Sequence, residues 1–193
     1  MIRKATETDL GRIAEIAVFV KRMNYRRIFC DDDFSFNKLT VVDTINTQRA
    51  FLDDIWVYES DHIVKAYIHI CDGEIKELYT DHFFQGEGIG AELIRYAVSR
   101  ESADHLWVLE KNSRAIPFYE RNGFTMTGER LLLNDTGQYL VKMVHFYEPS
   151  HAHAWSGTPN LRGVERAVEI TTSQKFWESY FRVRAICHYD KWL

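Results

Sequence analysis

The stretch that most constrains this chain is Leu78-Tyr79-Thr80-Asp81-His82-Phe83-Phe84-Gln85-Gly86-Glu87-Gly88-Ile89-Gly90-Ala91, a strand-like run entering a glycine-rich turn. Helical spacing follows, from Gly90 to Arg100. Glycine lets backbone approach a ligand closely, and the exposed N–H groups at a helix start attract an anion. The alternative is a tight strand-to-helix turn and nothing more. A nucleotide P-loop does not fit, because no Gly-Lys-Ser/Thr closes the run. The dinucleotide fingerprint does not fit either: Gly86, Gly88 and Gly90 have the wrong spacing, and what precedes them is not a βαβ unit.

What precedes is a meander. Ile55–Glu59, His62–Ile70 and Glu74–Thr80 read as strands separated by Ser60-Asp61 and Cys71-Asp72-Gly73. Before them, Ile2–Ala5 is a short strand and Thr8 to about Met23 an amphipathic helix, opened by Thr6 and Asp9 at capping-box spacing. Phe29–Phe36 reads as a loop and Lys38–Leu52 as a second helix. After the glycine run come a strand (Leu106–Glu110), a helix (Ser113–Asn122, stopped by Gly123) and two strands, Phe124–Leu133 and Gln138–Phe146. The order β-α-α-β-β-β-α-β-α-β-β predicts a mixed α/β domain over residues 1–148, and Pro149–Gly157 reads as a linker into residues 149–193.

Composition narrows the function classes. With 46% hydrophobic and 27% charged residues in 193, the chain buries a core and is not disordered. A net charge of −4 gives no support to a nucleic-acid surface. No apolar run reaches the ~18–20 residues of a membrane helix. Cys30, Cys71 and Cys187 are too few and too scattered for a disulfide framework or a zinc cluster, which suits a reducing cytoplasm. His151, His153, Cys187 and His188 lack a closed metal-ligand spacing, so no metal site is expected.

Two motifs then stand in register. Gln85-Gly86-Glu87-Gly88-Ile89-Gly90 resembles the Gln/Arg-x-x-Gly-x-Gly/Ala hallmark of the GCN5-related N-acetyltransferases (GNAT). Asn112-Ser113-Arg114-Ala115-Ile116-Pro117-Phe118-Tyr119-Glu120-Arg121-Asn122-Gly123-Phe124 resembles their Asn-x-x-Ala-x-x-Phe-Tyr-x-x-x-Gly-Phe. The opening Ile2-Arg3-Lys4-Ala5-Thr6-x-x-Asp9 is similar to their first strand and helix.

The resemblance implies a central, mostly antiparallel sheet flanked by helices and splayed between strands 4 and 5. It implies acetyl-CoA as cosubstrate, with pyrophosphate on the backbone of Gln85–Ala91 (Gln85, Gly86, Glu87, Gly88, Ile89, Gly90, Ala91) and pantetheine beside Leu78, Tyr79 and Thr80. Asn112 matches a position that helps hold the coenzyme; a helix cap is its other reading. Tyr119 matches the tyrosine that protonates the departing thiolate, against a purely packing role. For the base, Glu77 and Glu74 are both candidates, as is an ordinary strand Glu. Alternation along the strand puts Ile75 and Glu77 on the face of Tyr79. Two departures are visible. Trp107 stands where the branch acting on ribosomal-protein N-termini carries Glu, twelve residues before the Tyr, and Glu87 stands in the phosphate loop where many relatives are basic.

The resemblance implies as acceptor a primary amine of a small molecule or peptide, attacking directly in a ternary complex. The alternatives are a ribosomal-protein or peptide N-terminal acetylase and a non-catalytic acyl-CoA-binding sensor. The resemblance also implies that the acceptor is held by the loop between the first two helices, here Tyr25 to Asp33, and by the last two strands. Asp31-Asp32-Asp33 could there bind a cationic amine, or be a solvated loop. Phe176, Trp177, Tyr180 and Phe181 form one apolar face of a tail helix, expected to pack on the domain or on a second subunit of a homodimer.

Overall fold

A computed structural model describes residues 1–133 and 136–145 of this chain. The proposed unit at 149–193 and its amphipathic helix lie outside the described residues. The strands are β1 (Ile2–Lys4), β2 (Ile55–Ser60), β3 (Ile63–Cys71), β4 (Glu74–Thr80), β5 (His105–Leu109), β6 (Phe124–Leu133) and β7 (Gln138–His145). The helices are α1 (Leu10–Phe29), α2 (Val41–Arg49), α3 (Ile89–Arg100) and α4 (Ala115–Arg121). The strands form one sheet in the order β1-β2-β3-β4-β5-β7-β6. Every neighbour is antiparallel except β4 and β5, which are joined through α3 and run parallel. The expected order of elements and the fold class hold.

One face of the sheet packs α3 and α4 through Leu93, Ile94, Ala97, Phe118 and Tyr119. The other packs α1 through Ile13, Ile16, Ala17 and Val20. β4 and β5 pair at only two positions, Glu74↔His105 and Ile75↔Leu106. Beyond Ile75 they diverge, and among the described residues no strand pairs the β5-facing edge of Leu78–Thr80. That splay is what the site is built on.

Three local readings change. α1 runs to Phe29, six residues past the expected Met23. Arg26 and Arg27 sit in its last turn, favourable at the negative end of the helix dipole, and Cys30 closes it in the left-handed region (φ 52°). The expected loop is a further helical turn at Phe34–Lys38, and α2 is shorter at both ends than 38–52.

The third change is in β4. Ile70 pairs with Ile75, whereas His69 pairs with Glu77, so Lys76 is an extra residue in the ladder. Such a bulge breaks the two-residue alternation. Ile75 therefore packs with Leu78 on the α3 side, while Tyr79 packs on the α1 side. Glu77 and Tyr79 do share the α1 face, as expected, with Lys21 and Tyr25 as their partners; Ile75 alone departs from it.

Candidate active site

The splay opens into a cleft of about 800 Å³ bounded by β4, the glycine turn, β5, α4 and the inner side of α1. Of the sequence-derived site residues, Glu77, Leu78, Tyr79, Thr80, Gln85, Gly86, Gly88, Ile89, Gly90, Ala91, Asn112 and Tyr119 line it. Glu74 and Glu87 do not; Glu87 is exposed.

The glycine turn is built for close approach. Gly88 (φ 83°) stands immediately before α3, in a conformation that strains any residue with a Cβ. Gly90 meets α4 instead: a Cβ there would lie 3.1 Å from Phe118 Cζ. Among the described residues, the first N–H of α3 to find a backbone partner is that of Glu92, bonded to the Gly88 carbonyl at 3.1 Å. The amides before it face the cleft end of the helix, where the dipole favours negative charge. Gln85 braces the turn, its Nε2 donating to the Thr80 carbonyl at 3.1 Å and its Oε1 accepting from Arg114 at 3.4 Å. Asn112 Oδ1 accepts the Ala115 N–H at 3.1 Å, which starts α4 at the rim of the cleft. The N-cap position itself is Arg114, so Asn112 braces the turn that enters α4, and it lines the cleft as well.

Tyr119 is half-buried on α4, its ring edge-on to Phe118 and Phe124. Burial raises its pKa above the ordinary tyrosine value, with Tyr25 adding to the rise, so the phenol stays protonated at neutral pH. Across the cleft, the Tyr25 and Tyr79 hydroxyls are 2.7 Å apart. Burial, then Tyr25, Glu77 and Tyr67, holds the Tyr79 phenol well above its usual range. Tyr25, expected in the acceptor loop, is a buried residue of α1.

Both candidate bases are engaged elsewhere. Glu77 is buried, 2.5 Å from Lys21 Nζ, and accepts from the Tyr67 hydroxyl at 2.8 Å and from Gln48 Nε2 at 3.3 Å. Burial alone would raise its pKa; the Lys21 ammonium outweighs that and holds it below the usual carboxylate range. Glu74 is buried against Lys76, with His105 at 3.8 Å. Sequence reasoning missed Lys21, although its position gave a signal: it falls four residues after Ala17 and four before Tyr25, on the apolar stripe of α1. The acidic run is likewise occupied locally. Asp32 pairs with Arg26 at 2.6 Å, Asp33 pairs with Lys38, and Asp31 accepts the Phe34 N–H at 2.8 Å. None of the three lines the cleft.

Among the described residues, no group of three His, Cys, Asp or Glu could hold a metal ion. No helix among them is long and apolar enough to cross a membrane.

A glycine turn at a parallel splay, in a seven-stranded and otherwise antiparallel sheet, defines the GNAT class of fold. Residues 52–126 match the family model of the acetyltransferase (GNAT) domain. The structure of the chain is similar to apo YjaB from Escherichia coli (20% identity, 75% of this chain and 96% of that one, TM-score 0.60). It is also similar to the PaiA N-acetyltransferase of Thermoplasma acidophilum solved with coenzyme A (21%, 74% and 96%, TM-score 0.55). A third likeness is Ard1 from Thermoplasma volcanium (21%, 76% and 98%, TM-score 0.53). At these identities the likenesses show the fold.

Proposed function

We propose that this chain transfers the acetyl group of acetyl-CoA to a primary amine by direct attack in a ternary complex. The observation that carries the reading is the single cleft joining the glycine turn, the unpaired edge of β4 and Tyr119. The residues present fit the coenzyme. The amides of Gly86 to Ala91 would hold its pyrophosphate, and the free edge of Leu78–Thr80 would hold an extended amide arm. The PaiA relative, solved with coenzyme A, supports that choice. Acetyl-CoA supplies an activated thioester; positioning and proton movement fall to the protein.

The neutral amine attacks the thioester carbonyl, the C–S bond breaks, and the Tyr119 phenol donates to the sulfur that leaves as thiolate. With Glu77 held by Lys21 and Glu74 outside the cleft, the amine proton passes to water at the open mouth. The Tyr25–Tyr79 pair lines the α1 side, where the acceptor would enter. Tyr119→Phe should lower kcat by about 10²-fold or more while acetyl-CoA affinity by calorimetry stays within twofold. Because the Tyr119 phenol titrates above its usual range, wild-type kcat should rise with pH as the amine deprotonates, then stay level to about pH 10. Coenzyme binding with no acetylated product from a broad amine panel would refute the enzymatic reading and leave a sensor. An unchanged kcat in Tyr119→Phe would refute the role of that residue.

A further inference from the structure

A second groove, of about 220 Å³, lies beside the cleft. Val20, Asn24, Gln85, Asn112, Ser113 and Arg114 line both, so the two spaces adjoin across these six side chains. Its outer wall is the exposed side of α1, where Phe19 and Met23 show 45% and 53% of their surface. Arg27 and Lys111 complete the rim with Arg114 and His82, and among the described residues no Asp or Glu lines the groove. This is against the trend of the chain, whose first 148 residues carry 24 acids to 18 bases. Arg26, on the same helical turn, is paired with Asp32, but neither Arg27 nor Lys111 has an ion-pair partner among the described residues.

We propose that this groove is an acceptor subsite for an anionic group next to an apolar one. The acceptor would then be a primary amine that also carries a carboxylate, in the manner of an apolar amino acid. The inference rests on the acetyltransferase reading and narrows it. Three cationic side chains and no acid at the mouth repel a polycation, and Asp31–Asp33 are held by local partners, so the polyamine-like acceptor allowed by that acidic run is disfavoured. The apolar wall belongs to α1, on the opposite sheet face from α3, at whose start the coenzyme phosphates would sit.

The test uses matched acceptors, L-phenylalanine with L-phenylalaninamide and L-methionine with L-methioninamide, on the full chain. The carboxylates should have kcat/KM at least about tenfold above the amides once the fraction of neutral amine is corrected for, and Arg27→Gln/Lys111→Gln should erase the preference. Acetyl-CoA affinity should stay within twofold in that variant. No preference, or an unaffected preference in the variant, overturns the proposal. So does a variant that loses acetyl-CoA affinity while binding 3′-dephospho-CoA as well as wild type does, since the groove would then serve the coenzyme. A readout without turnover separates this proposal from the acetyltransferase reading: N-acetyl-L-phenylalanine and its amide titrated by NMR onto the coenzyme A-bound protein. Selective binding of the carboxylate, with shifts at the Met23 methyl and loss in the variant, supports the subsite even if no amine is acetylated. Equal or no binding of the two overturns it.

Discussion

Lys21 has 1% of its surface exposed, and its ammonium lies 2.5 Å from Glu77, which is also buried. Such a pair adds little stability relative to apolar residues, but breaking it leaves an uncompensated charge in the interior. Lys21→Met should therefore lower stability by about 3–5 kcal/mol, measured by urea unfolding. Adding Glu77→Leu should recover most of that loss, because no charge is then left unpaired. A single variant as stable as wild type would show that the pair is not the buried contact described. At this scale the place of Tyr119 at the cleft was legible, because it sits in a local motif on one short helix. The state of Glu77 was not legible, because its partners Lys21, Gln48 and Tyr67 come from other elements, up to 56 residues away.

At the scale of elements, the seam between α3 and α4 sets the cleft wall. The Phe118 ring sits where a Cβ on residue 90 would reach, at 3.1 Å. Gly90→Ala should push that ring toward the cleft and weaken acetyl-CoA binding by about tenfold, or ~1.4 kcal/mol, by calorimetry. Phe118→Leu in the same chain should restore most of the affinity; if it does not, the loss comes from the loop backbone and not from this contact. The elements themselves were readable from periodicity and turn residues, apart from the ends of α1 and α2. The facing of β4 was not. Alternation predicts sides only while the ladder is regular, and the bulge at Lys76 is a property of the β3–β4 pair that neither strand shows alone.

At the scale of the molecule, the closure of the N-terminus depends on charge. Asp9 accepts from Arg3 at 2.7 and 3.0 Å and from the Thr6 N–H at 2.8 Å, joining β1 to the start of α1. Hydrogen bonding to Arg3 holds its pKa down at about 2, despite burial. A carboxyl with a depressed folded pKa contributes stability that is present above its unfolded pKa, ~3.9, and is lost as pH falls toward about 2. Glu77, also depressed, acts in the same direction. Wild type should thus lose stability steeply below about pH 4. Asp9→Asn should cost about 2 kcal/mol at pH 7 and converge on wild type near pH 2, as read from urea midpoints at several pH values. A constant difference across that range would show that Asp9 acts by packing alone.

Short-range information was sufficient for much of this protein. Glycines in a fixed spacing, a capped helix start and an Asn-to-Phe helix motif each act within a dozen residues, so they specified the order of elements, the glycine turn and the place of Tyr119. The tertiary structure decided which carboxylates are free, which face β4 presents, and that the acidic loop is locally paired while the groove beside the cleft is cationic. Those outcomes depend on the distances between charges brought together from α1, α2, β4 and the β5–α4 turn. Electrostatic energy at a site is set by separation in space and by burial, and neither is a property of position along the chain.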